Sequence, residues 1–432
     1  MAKYLPFLLL ILMFLHSCTK DETVDIPEVQ YLLPAENDQF TYGDTIEIAV
    51  DVKSVSPIKN ISISIVDEHF SPVFTNYNYS GLNGSTGGRV RFAIIHDKQF
   101  IESGGYQVMV RVENEKEQKY KYRAIRILSP MRKLLGAAVI TKTPNHINVW
   151  HIDQNFQKSL KASMQGDYSG SAYISFHNRM VVSAKVQGSY TMWDYKTGDT
   201  ILNIQAKPNP PFPYFTGVGI FDNLVSAQYY YAEKFSLFNY AGKIEKTVEA
   251  APGYWIVAVF DVGENFVSIQ YEKSSQTKRL VTHLGTTGMN YSYYVLQGPV
   301  VAALPFEGKD FMLFSNYNGG GQIELFIWDH NATTQPLTYS GAEFIDAVQI
   351  APKQYYLLTA NKVKWFRYQD GSITDFLSIQ GVSPIKIRYD ELSGNVWIAD
   401  SQGFSVYDKN GQQVFDQRFN EQVLNIHLIY NY

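Results

Sequence analysis

The chain has 432 residues, of which 45% are hydrophobic and 18% charged; this excludes a disordered segment and leaves room for more than one core. A formal charge of −4 without a basic stripe excludes a nucleic-acid binder, which needs a positive face. The single cysteine, Cys18, excludes an internal disulfide framework.

In chain order, Lys3 is followed by an apolar stretch, Leu5–Leu15, too short to span a bilayer. Residues 1–17 therefore read as a secretory signal. The stretch ends in Leu15-His16-Ser17-Cys18. Apolar residue, spacer, small residue, Cys resembles the bacterial lipobox, with His16 departing from the usual small residue there. The resemblance implies that Cys18 is lipidated and becomes the mature N-terminus, so that the chain is anchored to a membrane rather than spanning it. Residues 18–27 read as a tether. Their Thr19-Lys20-Asp21-Glu22 run resembles the signal that carries some Gram-negative lipoproteins to the outer surface, which implies an outer-membrane protein facing the cell exterior.

Residues 28–128 show seven β-rich runs: Val29–Leu33, Thr45–Val52, Asn60–Val66, Pro72–Tyr77, Arg89–Ile95, Tyr106–Val112 and Lys119–Leu128. That count in about a hundred residues predicts an immunoglobulin-like β-sandwich. The stretch from Gly105 to Val112, with Tyr106 after a glycine and alternating valines, resembles a late strand of bacterial immunoglobulin-like domains; the Cys–Trp–Cys core of antibody domains is absent. Ser129-Pro130 marks the predicted boundary.

Residues 129–432 repeat. A bulky residue closing a strand, followed by a turn, recurs at Trp150, Trp193, Phe238, His283, Trp328, Phe366 and Tyr407, in steps of 38 to 45 residues. A period of ~40–45 residues built only of short strands predicts a β-propeller with one four-stranded blade per repeat. The clearest blade places strands A to D at Ser171–Phe176, Met180–Ala184, Tyr190–Tyr195 and Ile201–Ala206, with Lys196-Thr197-Gly198 as the C–D turn. The first repeat supplies only three runs, Gly136–Thr141, Ile147–Ile152 and Lys158–Ala162, and the run Val423–Tyr430 is left over at the end. Placing that run as strand A of the first blade closes the ring and removes two exposed edges. The fold class is thus all-β, an immunoglobulin-like sandwich followed by a seven-bladed β-propeller closed by its C-terminal strand, with six blades as the alternative because Ile256–Leu296 is irregular. Trp193-Asp194 and Trp328-Asp329 lack the Gly-His partner of WD repeats, and the Asp-box of sialidases is absent.

In a propeller the D–A and B–C loops share one face around the channel mouth. Tyr168, Phe212, Tyr214, Phe215, Tyr254, Tyr291 and Tyr339 fall in predicted D–A loops, and Tyr229, Tyr230, Tyr231, Tyr271 and Tyr317 in B–C loops. Prolines stiffen Lys207–Tyr214, and Asn316–Gly321 reads as its flexible, polar counterpart. Aromatic faces beside Asn, Gln and Ser suit sugar stacking or peptide packing. The candidate ligand-binding set is Phe212, Tyr214, Phe215, Tyr230, Tyr231, Tyr254, Tyr271 and Tyr317. No catalytic residue, metal site or cofactor is predicted: HExxH and CxxC are absent, His146 and His151 fall on opposite strand faces, and Asp390 and Glu391 read as solvated turn carboxylates. In architecture and address the chain resembles bacterial surface lipoproteins of nutrient-capture and adhesion systems. That resemblance implies a cell-surface binding protein whose propeller face takes a glycan or a protein. A propeller polysaccharide hydrolase or lyase, and a periplasm-facing scaffold of outer-membrane assembly, are the alternatives.

Overall fold

A computed structural model describes residues 25–74, 76–96, 101, 103–128, 131–207 and 212–431. The predicted signal, Cys18 and the tether up to residue 24 lie outside them, as do Ser129-Pro130 and part of the proline loop. The chain divides into two compact units between Met131 and Arg132.

The first unit is a sandwich of two sheets. Glu28–Leu33, Thr45–Lys53 and Gly87–Ile95 form one; Asp38–Thr41, Gln118–Leu128, Gly104–Asn114, Ile58–Val66 and Tyr77–Tyr79 form the other in that spatial order. In Gly104–Asn114 every second residue points inward, so Tyr106, Val108, Val110 and Val112 meet Ile46, Ile48, Val50 and Val90 of the facing sheet in one core. The short strand Asp38–Thr41, parallel to Gln118–Leu128, was not expected from the sequence, and Pro72 contributes only an isolated bridge to Val66 rather than a strand. Proline has no N–H to give a ladder, so the pairing at Pro72 stays an isolated bridge, and the strand proper is Tyr77–Tyr79.

The second unit is a succession of antiparallel sheets. The second sheet holds Tyr168–Ile174, Arg179–Ala184, Ser189–Asp194 and Thr200–Gln205; the third, Phe215–Phe221, Leu224–Tyr229, Lys234–Phe238 and Ile244–Glu249; the fourth, Tyr254–Asp261, Phe266–Glu272, Lys278–His283 and Asn290–Val295. The fifth opens with Val300–Glu307, Asp310–Tyr317 and Gly320–Ile327, and its outer strand is split into Ala332–Thr333 and Leu337–Tyr339. The sixth runs from Asp346 to Ser378 and the seventh from Pro384 to Arg418, with four strands each. The first sheet has Lys158–Gln165, His146–Asp153, Leu134–Lys142 and, innermost, Gln422–Tyr430 from the chain's end. Gln422–Tyr430 pairs antiparallel with Leu134–Lys142 and also touches the innermost strands Pro384–Asp390 and Tyr168–Ile174. Innermost strands thus follow one another in a closed ring. The unit is a β-propeller.

Its core is distributed between sheets. Strands such as Phe266–Glu272 are buried on both faces, because a neighbouring sheet covers each, and so read as continuous apolar runs rather than as alternation. The recurrent bulky residue has a structural cause. At Trp150, Trp193, Phe238, His283 and Tyr407 the register between strands C and D shifts, each at the step into that residue. A bulge adds twist and bends the outer strand, and the large side chain at the bend packs into the seam between sheets, as Trp193 does beside Tyr173 and Ile140.

Candidate functional site

The D–A and B–C loops are stitched together by backbone hydrogen bonds. Tyr214 N donates to Lys185 O at 2.8 Å, Tyr230 N to Tyr214 O at 3.1 Å, and Lys273 N to Gly253 O at 2.9 Å. The loop entering the third sheet is thereby tied to the B–C loops of the second and third sheets. The loop entering the fourth is tied to the B–C loop of the fourth.

On this scaffold lies a run of touching rings. Phe212 stacks on Tyr230 with centroids 4.9 Å apart and planes 10° off parallel, and Tyr231 stands edge-on to both at 6.5 and 5.3 Å. Tyr230 leads on to Trp255 at 5.3 Å, and Trp255 to Tyr271 at 5.7 Å. Lys273 Nζ sits 4.8 Å from the Tyr230 centroid and 2.8 Å from Glu233 Oε1, so a cation covers one end of the run while a carboxylate holds the cation in place. Phe212 is 46% exposed and Tyr231 36%, whereas Tyr230 is only 8% exposed and serves as the floor between them. Burial raises the Tyr230 and Tyr271 phenols above their ordinary value, so at neutral pH both are protonated donors.

Of the predicted set, Phe212, Tyr230, Tyr231 and Tyr271 are brought together, and Tyr214 lies beneath, edge-on to Tyr229 at 5.8 Å. Tyr254 turns away into a cation–π contact, its ring 3.6 Å from the Arg279 guanidinium carbon. Phe215 is corrected: it is fully buried in the seam between the second and third sheets against Tyr190 and Tyr229, because it opens an innermost strand rather than lying in a loop. Tyr317, 40% exposed, ends a strand in the fifth sheet. Its loop is no flexible segment, because Asn318 and Gly319 make a two-residue turn and Asn316 is locked to Phe344 by paired 2.8 Å bonds. Tyr291 is likewise corrected, lying in the outer strand of the fourth sheet and stacked on Trp328 at 5.5 Å. Trp255 and Lys273 were missed. Trp255 follows a predicted site tyrosine directly, so the adjacent aromatic pair was the available signal.

A second polar constellation lines the channel. Asp346, Lys386, Arg388, Asn425, His427, Ser171 and Tyr168 all lie on innermost strands. Ser171 Oγ is 2.8 Å from His427 Nε2, but it is also 2.8 Å from Tyr168 OH and accepts from Asn425 Nδ2 at 3.1 Å. The hydroxyl is held by three neighbours rather than poised on one base, unlike an activated nucleophile. Asp390, read from sequence as solvated, is buried and takes the Tyr430 hydroxyl at 3.0 Å, while Glu391 pairs with Arg132. Turn position had hidden that Asp390 closes an innermost strand. Among the described residues, no group of three or more His, Cys, Asp or Glu side chains converges on a metal-sized site. His151 instead pairs its Nδ1 with Tyr195 OH at 3.0 Å.

No protein-family model matches the chain, and no curated protein matches it. Solved structures that resemble it include a quinonprotein alcohol dehydrogenase-like protein from Bacteroides thetaiotaomicron, at 12% identity and TM-score 0.44 over 94% of this chain and 99% of that one. The β-propeller domain of Cps50 (Swd1) from Myceliophteria thermophila matches at 9% identity and TM-score 0.46, over 60% and 89%. The Dos1 propeller matches at 10% and 0.45, over 67% and 87%.

Proposed function

We propose that the chain is a bacterial surface lipoprotein, held by lipid on Cys18 to the outer membrane and facing the cell exterior. An immunoglobulin-like module would carry a seven-bladed propeller closed by its C-terminal strand, and the D–A/B–C face of the propeller would bind a glycan. Seven successive sheets with innermost strands in ring order favour seven blades over six. The two-sheet packing around Tyr106 and Val110 supports the immunoglobulin-like reading.

The observation that carries the binding function is the ring run Phe212–Tyr230–Trp255–Tyr271, partly exposed and stitched to a rigid scaffold. Pre-organised aromatic faces bind without the entropy cost of ordering loops, and the adjoining Lys273–Glu233 pair supplies hydrogen-bonding heads for hydroxyls. Hydrolysis has less support: the acid at the channel mouth, Asp346, is bound by Lys386 and Arg388 rather than facing a second carboxylate.

The test is a glycan array probed with the full chain and with the double variant Phe212→Ala, Tyr231→Ala. Binding to one or more glycans by the native chain, weakened about tenfold or more by the double variant at an unchanged melting temperature, is expected. Undiminished binding by the variant overturns this placement of the site.

A further inference from the structure

The propeller channel is not symmetrical. On one arc the innermost strands press together at glycines: a Cβ on Gly170 would lie 2.8 Å from Val218 N, and one on Gly219 2.6 Å from Val259 O. Only a residue without a side chain lets the second, third and fourth sheets approach this closely. The rest of the ring, from the sixth sheet round to the second, carries the polar side chains. Asp346 opens the innermost strand of the sixth sheet and takes Ile387 N at 3.0 Å, Arg388 Nη1 at 3.2 Å and Lys386 Nζ at 3.3 Å. Arg388 also donates to Ile387 O at 2.7 Å and to Asn425 Oδ1 at 3.2 Å. Asn425 passes the network to Ser171 and Tyr168, and Ser171 to His427.

The charges do not balance. Two cations share one carboxylate, and the exposure is unequal: the side chain of Asp346 is 6% exposed, those of Lys386 and Arg388 33% and 28%. The acid lies behind and the cations in front. Together they carry more N–H donors than the carboxylate, amide and carbonyl they reach can accept. Their field is felt at His427, whose imidazole is held well below its ordinary value, first by burial and then by Arg388 and Lys386. A neutral imidazole beside two hydroxyls and an amide makes a wall that both donates and accepts.

We propose that Lys386 and Arg388 hold the carboxylate of an acidic sugar at the channel mouth, with Tyr168 and His427, oriented by Ser171 and Asn425, taking its hydroxyls. This rests on the reading of the propeller as a glycan binder and narrows it to uronic acids. One excess positive charge matches a monoanion, and a planar carboxylate fits the guanidinium fork. A phosphate dianion would leave the site negative. An acidic peptide would supply the carboxylate but not the ring hydroxyls that the wall of the channel fits.

The experiment is calorimetric titration of the full chain with galacturonate and glucuronate tetramers, their methyl esters, and a glutamate hexamer. The free acids are expected to bind, with the esters and the peptide weaker by about tenfold or more and the acid binding falling steeply with salt. Lys386→Gln leaves Asp346 bonded to Arg388 and Ile387, so it is expected to fold with the native melting temperature and to lose about tenfold in affinity for the acids alone. Equal binding of acid and ester, unchanged affinity in Lys386→Gln, or no binding of either acid overturns the proposal, as does preferential binding of the peptide. Equal binding of acid and ester that Phe212→Ala still weakens would remove the uronate site and leave the glycan reading intact. No binding here together with an empty glycan array would remove both.

Discussion

His283 stands where most other sheets place an aromatic ring. It is fully buried, stacks on Phe266 with planes 13° apart, and bonds Ser268 Oγ through Nε2 at 2.7 Å. Burial pushes its pKa down to about 4. The folded state therefore refuses a proton that the unfolded chain accepts below about pH 6.5. Stability is unaffected above that value, declines as the pH falls through the window, and stops declining from this cause near pH 4, where the folded imidazole also titrates. Between about pH 6.5 and about pH 5 the loss from this one residue is on the order of 2 kcal/mol. Melting curves across that range should show a shallower acid decline for His283→Gln than for the native chain. Parallel declines would mean that the imidazole is charged in the fold. Its place in the repeat marked His283 as one more member of the series but not as uncharged; that follows from the rings of Phe235 and Phe266 that enclose it.

At the scale of elements, the C-terminal strand is the most consequential piece of chain. Gln422–Tyr430 pairs along Leu134–Lys142 from Gln422↔Lys142 to Tyr430↔Leu134, and Val423, Ile426 and Leu428 fill the seam with the seventh sheet. Deleting residues 422–432 would strip the innermost strand from the first sheet and expose its neighbours' edges. The melting temperature is expected to fall by at least ten degrees or so, or folding to fail, against a few degrees for a frayed tail. A truncated chain that melts with the native one would contradict ring closure by this strand. This pairing was legible in the sequence because a three-strand first repeat and an unpaired last run each lacked what the other had. Strand interiors were legible for a similar reason, since burial on both faces leaves a plain apolar run. Loop membership was not. Phe215 and Tyr291 lie one or two residues inside strands, and a shift of that size exchanges a solvent-facing ring for a buried one. The channel set was missed because Lys386, Arg388, Asn425 and His427 alternate with apolar residues just as half-exposed strand residues do, and only the closed ring gathers them.

For the whole molecule, a lipid address and a binding surface are proposed at different parts of the chain. The proposed anchor rests on Cys18: Cys18→Ala is expected to abolish incorporation of labelled lipid and to release the chain from membranes, and persistence in washed membranes would contradict the anchor. The proposed working surface is the face on which Phe212, Tyr230, Tyr231, Trp255 and Tyr271 touch, set on loops tied by backbone hydrogen bonds. The outer strand of the fourth sheet carries a different exposed aromatic group, with Tyr291 stacked on Trp328 and Tyr293 beside Arg279. The measurement that separates the two is oxidative footprinting of the full chain with and without a saturating array-identified glycan. Protection of Phe212, Tyr231 and Trp255, with Tyr291 and Tyr293 oxidised as before, is expected. Protection of Tyr291 and Tyr293 with Phe212 and Tyr231 unchanged would contradict it.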